Sequence, residues 1–92
     1  MRIIVESFFA PGEKTISPIR VRPAAGQKYS PNMRVECSRA MRVAFPVGQM
    51  FCIYVTLKSR LGSQDFLYSS YRYPWNPVTK EEAATFITQA SK

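Results

Sequence analysis

The sequence predicts an α+β fold, mainly β: a curved antiparallel sheet or small half-open barrel of five to six strands with one C-terminal α-helix. Short apolar and β-branched segments recur along most of the chain, and proline or glycine separates them. A single helical pattern follows at the C-terminal end. The length of 92 residues predicts one small basic domain spanning 1-92.

The N-terminal half contains four predicted strands. Residues 3–9 are rich in β-branched and aromatic side chains and stop at the turn signal Pro11-Gly12. Residues 19–22 and 33–37 each alternate apolar and polar side chains, as a half-buried strand does, and residues 41–45 follow as a further strand. Because prolines recur through this half, we expect no helix before residue 46.

The clearest strand follows a predicted turn at residues 46–48. Its apolar face consists of alternate residues, namely Phe51, Ile53, Val55 and Leu57. Gly62-Ser63 predicts a tight hairpin, with residues 65–73 as the returning strand. The strand is expected to end at the segment from Pro74 to Pro77.

The length of the hairpin loop decides which residues of the returning strand are buried. A two-residue loop places Leu57 opposite Tyr68 and buries Phe66 and Tyr68. A loop one residue longer buries Leu67 and Tyr71 instead. We favour the two-residue loop because it also sets Arg60 opposite Asp65, a favourable charge pair, and Tyr54 opposite Tyr71.

The C-terminal helix has a clear start signal. In Thr79-Lys80-Glu81-Glu82, the threonine hydroxyl and the second glutamate can satisfy each other's backbone amides as a capping box. Ala83, Phe86, Ile87 and Ala90 then recur at helical spacing. We expect a helix over about 80–89, with Phe86 and Ile87 buried against the sheet.

Composition limits the cellular context. No apolar run approaches the roughly 20 residues of a membrane-spanning helix, and no signal-peptide pattern is present, so we expect a cytoplasmic protein with no membrane partner. Cys37 and Cys52 lie in apolar segments and are interpreted as buried, reduced thiols.

Positive charge is the strongest functional signal. The net charge is +7, and from Lys14 to Arg60 nine basic residues face one acid, Glu36. Such an imbalance attracts polyanions. Arginine outnumbers lysine eight to five, and arginine is the better ligand for phosphate.

Most catalytic chemistries lack their residues. The chain has no histidine, which removes the usual general base and the histidine-containing zinc sites, and its two cysteines cannot form a four-thiolate site. Asp65 has no acidic neighbour, and the four glycines form no phosphate-binding loop. We therefore predict no enzyme, no cofactor and no metal. One route survives, RNA cleavage by Arg, Lys, Tyr and Glu as in small ribosome-dependent toxin nucleases, but the prolines argue against the two helices of that family.

The leading hypothesis is a non-enzymatic nucleic-acid-binding module that uses a basic, aromatic-bearing sheet face. Basic side chains would contact phosphates while tyrosines, with Trp75 as a further candidate, stack on bases. The candidate binding residues are Arg20, Arg22, Arg34, Arg39, Arg42, Tyr54, Lys58, Arg60, Tyr71 and Tyr73.

Two other functions fit the same composition. The first is a protein-interaction module or small subunit, of a kind found in mobile elements such as phages, plasmids or gene cassettes, whose basic face binds an acidic protein. The second is a small barrel that binds a small ligand. The strand-and-helix order resembles small barrels of the OB and SH3-like kind, but no residue motif assigns the chain to a family. The sequence leaves open whether the chain forms a homodimer.

Overall fold

A computed structural model describes residues 1–10, 19–59, 61–62 and 64–90, and within them it shows two β-sheets and two helices. The elements in chain order are β1 (Arg2–Phe9), β2 (Ile19–Pro23), β3 (Val35–Glu36), α1 (Arg39–Val43), β4 (Met50–Tyr54), β5 (Thr56–Lys58), β6 (Phe66–Tyr68), β7 (Trp75–Val78) and α2 (Lys80–Ala90). The predicted α+β, mainly β class is confirmed. The two sheets do not close into a barrel.

The larger sheet has the order β2-β1-β4-β7, with every neighbouring pair antiparallel. β1 is an inner strand, and Ile3, Ile4 and Val5 are all buried along it. Since successive side chains of a strand point to opposite faces, both faces of β1 must be covered. Two hydrophobic clusters provide that cover, one on each face of the sheet.

The first cluster lies between the larger sheet and a smaller one of order β3-β6-β5. Ile3 and Val5 pack there with Leu67 of β6 and Met41 of α1. Phe51 of β4 is wholly buried in the same cluster. Its ring meets Phe45 and Trp75 edge-on, with ring centres 5.6 Å and 5.8 Å away.

The second cluster lies under α2, which begins as the sequence predicts. The Thr79 amide donates to Glu82 Oε1 at 3.0 Å, and the Glu82 amide donates to Thr79 Oγ1 at 3.1 Å, so the capping box is confirmed. Ala83 packs with Ile4 and Cys52. Phe86 and Ile87 are half-buried rather than buried, whereas the smaller Ala83 is 1% exposed.

Gly26 allows the chain to pass close to α2. Its φ of +91° lies in the left-handed region that favours glycine. A Cβ at this position would lie 3.3 Å from Ile87 Cγ2. A side chain here would therefore meet both backbone strain and the helix.

The segment around residue 41 corrects two predictions. Residues 41–45 were expected to form a strand and no helix was expected before residue 46, but Arg39–Val43 form the short helix α1. The prolines do not prevent this helix, because none lies between Pro31 and Pro46. Met41 is buried and Phe45 packs partly against the same cluster, whereas Val43 is exposed. Met41 is therefore placed in the core by α1, whereas Phe45 lies two residues beyond the end of that helix, so the strand alternation of Met41, Val43 and Phe45 does not form. Only Val35–Glu36 of the strand expected over 33–37 forms.

The strand expected after residue 50 is divided at Val55. β4 pairs in the larger sheet, whereas β5 pairs with β6 in the smaller one. The segment from Pro74 to Pro77 was expected to end the returning strand, but Trp75–Val78 form β7 at the edge of the larger sheet. Pro77 is tolerated there because an edge strand can leave one side without ladder hydrogen bonds.

The favoured hairpin register is wrong by one residue. Leu57 lies opposite Leu67, and Leu67 is wholly buried while Leu57 is 47% exposed. The returning strand ends at Tyr68, so Tyr54 and Tyr71 do not pair.

Three predicted features lie outside the described residues, namely Arg60, Ser63 and the turn signal at Pro11-Gly12. The Asp65 carboxylate accepts a hydrogen bond from the Ser59 hydroxyl at 2.8 Å.

Both cysteines are free and at least half-buried. Burial raises the pKa of the Cys37 thiol to about 11, although the positive charges of Arg42 and Arg20 oppose the shift. Burial also raises the pKa of Cys52, against the charge of Arg2. Both environments therefore favour the neutral, unreactive thiol.

Among the described residues, no helix is long and apolar enough to cross a membrane.

Truncation of the core aromatic should cost more than truncation of the helix aromatic. Phe51→Ala is expected to lower the free energy of unfolding by about 3–5 kcal/mol, because it leaves a cavity in a closed cluster. Phe86→Ala should lower it by about 1–2 kcal/mol, because that ring is only half-buried. Urea denaturation measures both. Phe9→Ala, at a ring that is 57% exposed, is the control. A larger loss for Phe86→Ala than for Phe51→Ala would contradict this core.

The thiols should react slowly in the folded protein. At pH 8 a thiol with a pKa of about 11 is ionised in about one molecule in a thousand, and the thiolate is the reactive form. Iodoacetamide labelling, followed by mass spectrometry, should therefore accelerate sharply when urea unfolds the chain. Rapid labelling of either cysteine in the native protein would show that its thiol is activated.

Candidate nucleic-acid interface

A groove of about 470 Å³ lies beside β2, which is an edge strand of the larger sheet. Three of the predicted phosphate-binding residues line it. We call it the arginine groove and define it by Arg20, Arg22, Arg34, Phe8, Asn32 and Met33. Arginines from two separate segments of the chain thus meet in one concave site.

The β1–β2 pairing sets one wall of the arginine groove. Arg22 lies opposite Glu6 and Arg20 lies opposite Phe8, so the four side chains share one face of the sheet. Arg22 Nε donates to Glu6 Oε1 at 2.9 Å, and its guanidinium carbon lies 4.8 Å from the centre of the Phe8 ring. The ion pair is partly exposed and adds little stability. Its effect is to orient Arg22 on the ring.

The opposite wall is the segment that leads into β3, and a glutamine holds the loop before it. The Gln27 side chain accepts from the Ile4 amide at 2.8 Å and donates to the Ile4 carbonyl at 2.7 Å. It also donates to the Ala24 carbonyl at 3.0 Å. The carboxamide therefore ties the loop to the end of the β1–β2 ladder. Further along, the Met33 amide donates to the Ser30 carbonyl at 3.0 Å and closes a turn.

Positive charge continues from the arginine groove towards α1. Arg20 and Arg42 both oppose the rise in the Cys37 pKa, so both guanidinium groups lie near that sulfur. The Arg42 Nε is buried and has no hydrogen-bond partner among the described residues. Arg39 is exposed one helical turn before Arg42.

The predicted tyrosines lie elsewhere. Tyr54 is opposite Arg2 at the other end of β1, about 20 Å along the strand from Phe8. Its ring meets Tyr73 edge-on, with ring centres 6.3 Å apart. The guanidinium carbon of Arg2 lies 5.9 Å from the Tyr54 ring and 5.7 Å from the Phe86 ring. These residues form a separate aromatic cluster.

The remaining candidates are dispersed. Tyr71 is 71% exposed, and its hydroxyl accepts from Arg72 Nε at 3.1 Å. Lys58 is exposed at the end of β5. Trp75 contributes to the core through Phe45 and Phe51 and is only half-exposed.

Sequence reasoning missed three residues of the arginine groove, Phe8, Asn32 and Met33. Phe8 was counted only as an apolar residue of β1. The signal for it is the alternation along β1, which gives Phe8 the same face as Glu6. The alternation identifies Phe8 as a residue of the site only when the pairing of β1 with β2 is known. No comparable signal identifies Asn32.

The groove is suited to anion binding rather than to metal binding. Within the described ranges, no three His, Cys, Asp or Glu side chains are grouped so that they could hold a metal ion. Guanidinium groups stay protonated and offer paired N–H donors to phosphate or carboxylate oxygens. The chemistry that the site can perform is therefore recognition of an anion.

Comparison of the chain with protein-family models, curated proteins and solved structures gives no match. A function has to be inferred from the chemistry of the site, because a fold by itself does not define one.

Proposed function

We propose that the chain is a non-enzymatic nucleic-acid-binding module whose arginine groove holds backbone phosphates. The observation that supports this proposal is the convergence of Arg20, Arg22 and Arg34 on one groove. A guanidinium group can bind two phosphate oxygens at once, so it fixes both the position and the orientation of the backbone.

The charge of the whole chain supports the same partner. A net charge of +7 raises the local concentration of a polyanion, and condensed counterions are released when phosphates meet arginine. Arg39 and Arg42 of α1 extend the positive surface beyond the groove. In this proposal, the net positive charge first attracts the nucleic acid at long range, and the arginine groove then binds its phosphates.

We propose binding without cleavage because the described residues that line the groove include no suitable proton acceptor. A guanidinium group donates hydrogen bonds and does not act as a proton acceptor in proteins. Glu6, on the same face, is held in an ion pair by Arg22. Buried free thiols fit a reducing compartment, so a cytosolic location belongs to this proposal.

An acidic protein is the second candidate partner, because guanidinium groups also pair with carboxylates. The exposed Arg39 and Lys58, which lie outside the groove, would suit a broad acidic surface. The hypothesis of a small barrel that binds a ligand in its interior is not supported by the architecture, since the two sheets do not close into a barrel.

Oligonucleotide binding should depend steeply on salt. Fluorescence anisotropy with short single- and double-stranded DNA and RNA, at several salt concentrations, gives the slope of log K against log[salt]. Three phosphate contacts predict a slope with a magnitude of about 2–3. Arg22→Gln combined with Arg34→Gln should lower affinity about tenfold or more, because charge-assisted hydrogen bonds are lost. It should also lower the magnitude of the slope by about 1.5.

A charge-matched variant separates local contacts from net charge. Lys58→Gln combined with Arg72→Gln removes the same two charges away from the groove and should change affinity much less. Equal losses in the two double variants would show that the groove is not the site. Absence of oligonucleotide binding at low salt would refute the proposal, and retained binding to polyglutamate would then favour the acidic protein.

A further inference from the structure

We infer that the arginine groove accepts one unstacked nucleotide of a single strand, with its base on the Phe8–Arg22 pair, and that it excludes duplex. This inference rests on the proposed function and names the form of nucleic acid. It also assigns the stacking role to Phe8 rather than to the predicted Tyr54.

The shape of the arginine groove favours a single strand. A volume of about 470 Å³ lies in the range of small-molecule sites and is suited to one nucleotide. Proteins read duplex DNA with a protruding helix or ribbon that enters a groove about 12 Å wide. A concave site of this volume cannot enclose a duplex. A single strand can turn one base out of its stack and place it in such a site.

Phe8 and Arg22 supply planar surfaces within the arginine groove. The guanidinium carbon of Arg22 lies 4.8 Å from the centre of the Phe8 ring, within the range of a cation–π contact. Aromatic rings and guanidinium planes are the two surfaces on which proteins stack unpaired bases. Glu6 fixes the Arg22 side chain through Nε, and a guanidinium carries four other N–H donors.

The positions of the charges complete the site. Arg20 lies beside Arg22 on β2, and Arg34 lies on the opposite wall. A nucleotide that stacks at Phe8 therefore has cationic groups on both sides for its flanking phosphates. Asn32 also lines the groove, and its carboxamide offers both a donor and an acceptor to a base edge. The Tyr54–Tyr73 cluster lies about 20 Å away along β1, and the described residues that line the cavity beside it (Met1, Tyr54, Val55, Thr56 and Tyr73) include no arginine or lysine.

The first test compares strand forms. A labelled single-stranded DNA 12-mer should bind the wild-type chain at least about tenfold more tightly than the same strand annealed to its complement, at one salt concentration. Equal or tighter binding of the duplex would overturn this inference but leave the proposed function standing. If neither form binds at low salt, the proposed function itself fails.

The second test uses two adjacent phenylalanines. Phe8→Leu keeps an apolar side chain but removes the ring, and it should weaken single-strand binding about 5- to 100-fold with the salt slope unchanged. Phe9→Leu is the matched control, because Phe9 is 57% exposed, lies on the other side of β1 and does not line the groove. It should change affinity less than twofold. Thermal unfolding of both variants checks that they are folded.

A measurement on the wild-type protein avoids any effect of substitution on folding. Titration with cytidine monophosphate should shift the Phe8 ring protons upfield in NMR spectra, because a stacked base imposes its ring current on them. Inorganic phosphate should shift signals of the arginine groove without that upfield change. An unshifted Phe8 ring at saturation, or equal weakening by Phe8→Leu and Phe9→Leu, would overturn the inference.

Discussion

The structure depends on the burial of β1 on both faces. Ile3 and Val5 pack towards the smaller sheet while Ile4 packs under α2, so one strand joins the two hydrophobic clusters. β1 also pairs with β2 on one side and β4 on the other. Loss of its packing would therefore separate the layers and release β2 at the same time. The candidate site rests on this strand because Phe8 and Glu6 belong to it.

The part of β1 that α2 does not cover carries the side chains of the candidate site. α2 packs over Ile4 and Cys52, whereas Glu6, Phe8, Arg20 and Arg22 lie further along the same face. Backbone pairing holds one wall of the groove, and the Gln27 carboxamide anchors the loop that leads to the other. This frame and the Glu6 ion pair thus hold Arg22 in position before a phosphate binds, which lowers the entropy lost on binding.

The same sheet face carries two different arrangements of arginine and aromatic rings. At one end Arg22 lies on Phe8 beside a cavity with further arginines, and at the other Arg2 lies between Tyr54 and Phe86. The second arrangement covers the end of the helix packing. The two ends differ in charge, because three arginines line the cavity at the first. Their similar composition explains why residue types alone could not distinguish them.

The sequence by itself determined the elements whose signals are local. The α2 start follows from Thr79 and Glu82, and the placement of Arg20 and Arg22 on one face follows from alternation along β2, because such patterns involve neighbours within a few residues. Tertiary structure decided the helical state of residues 39–43, the pairing of Leu57 with Leu67, and the strand at Trp75–Val78. In each case burial in a shared core outweighed local preference. The arginine groove needs β2 and the segment around Arg34 to meet, and only chain folding brings together residues that are distant in sequence.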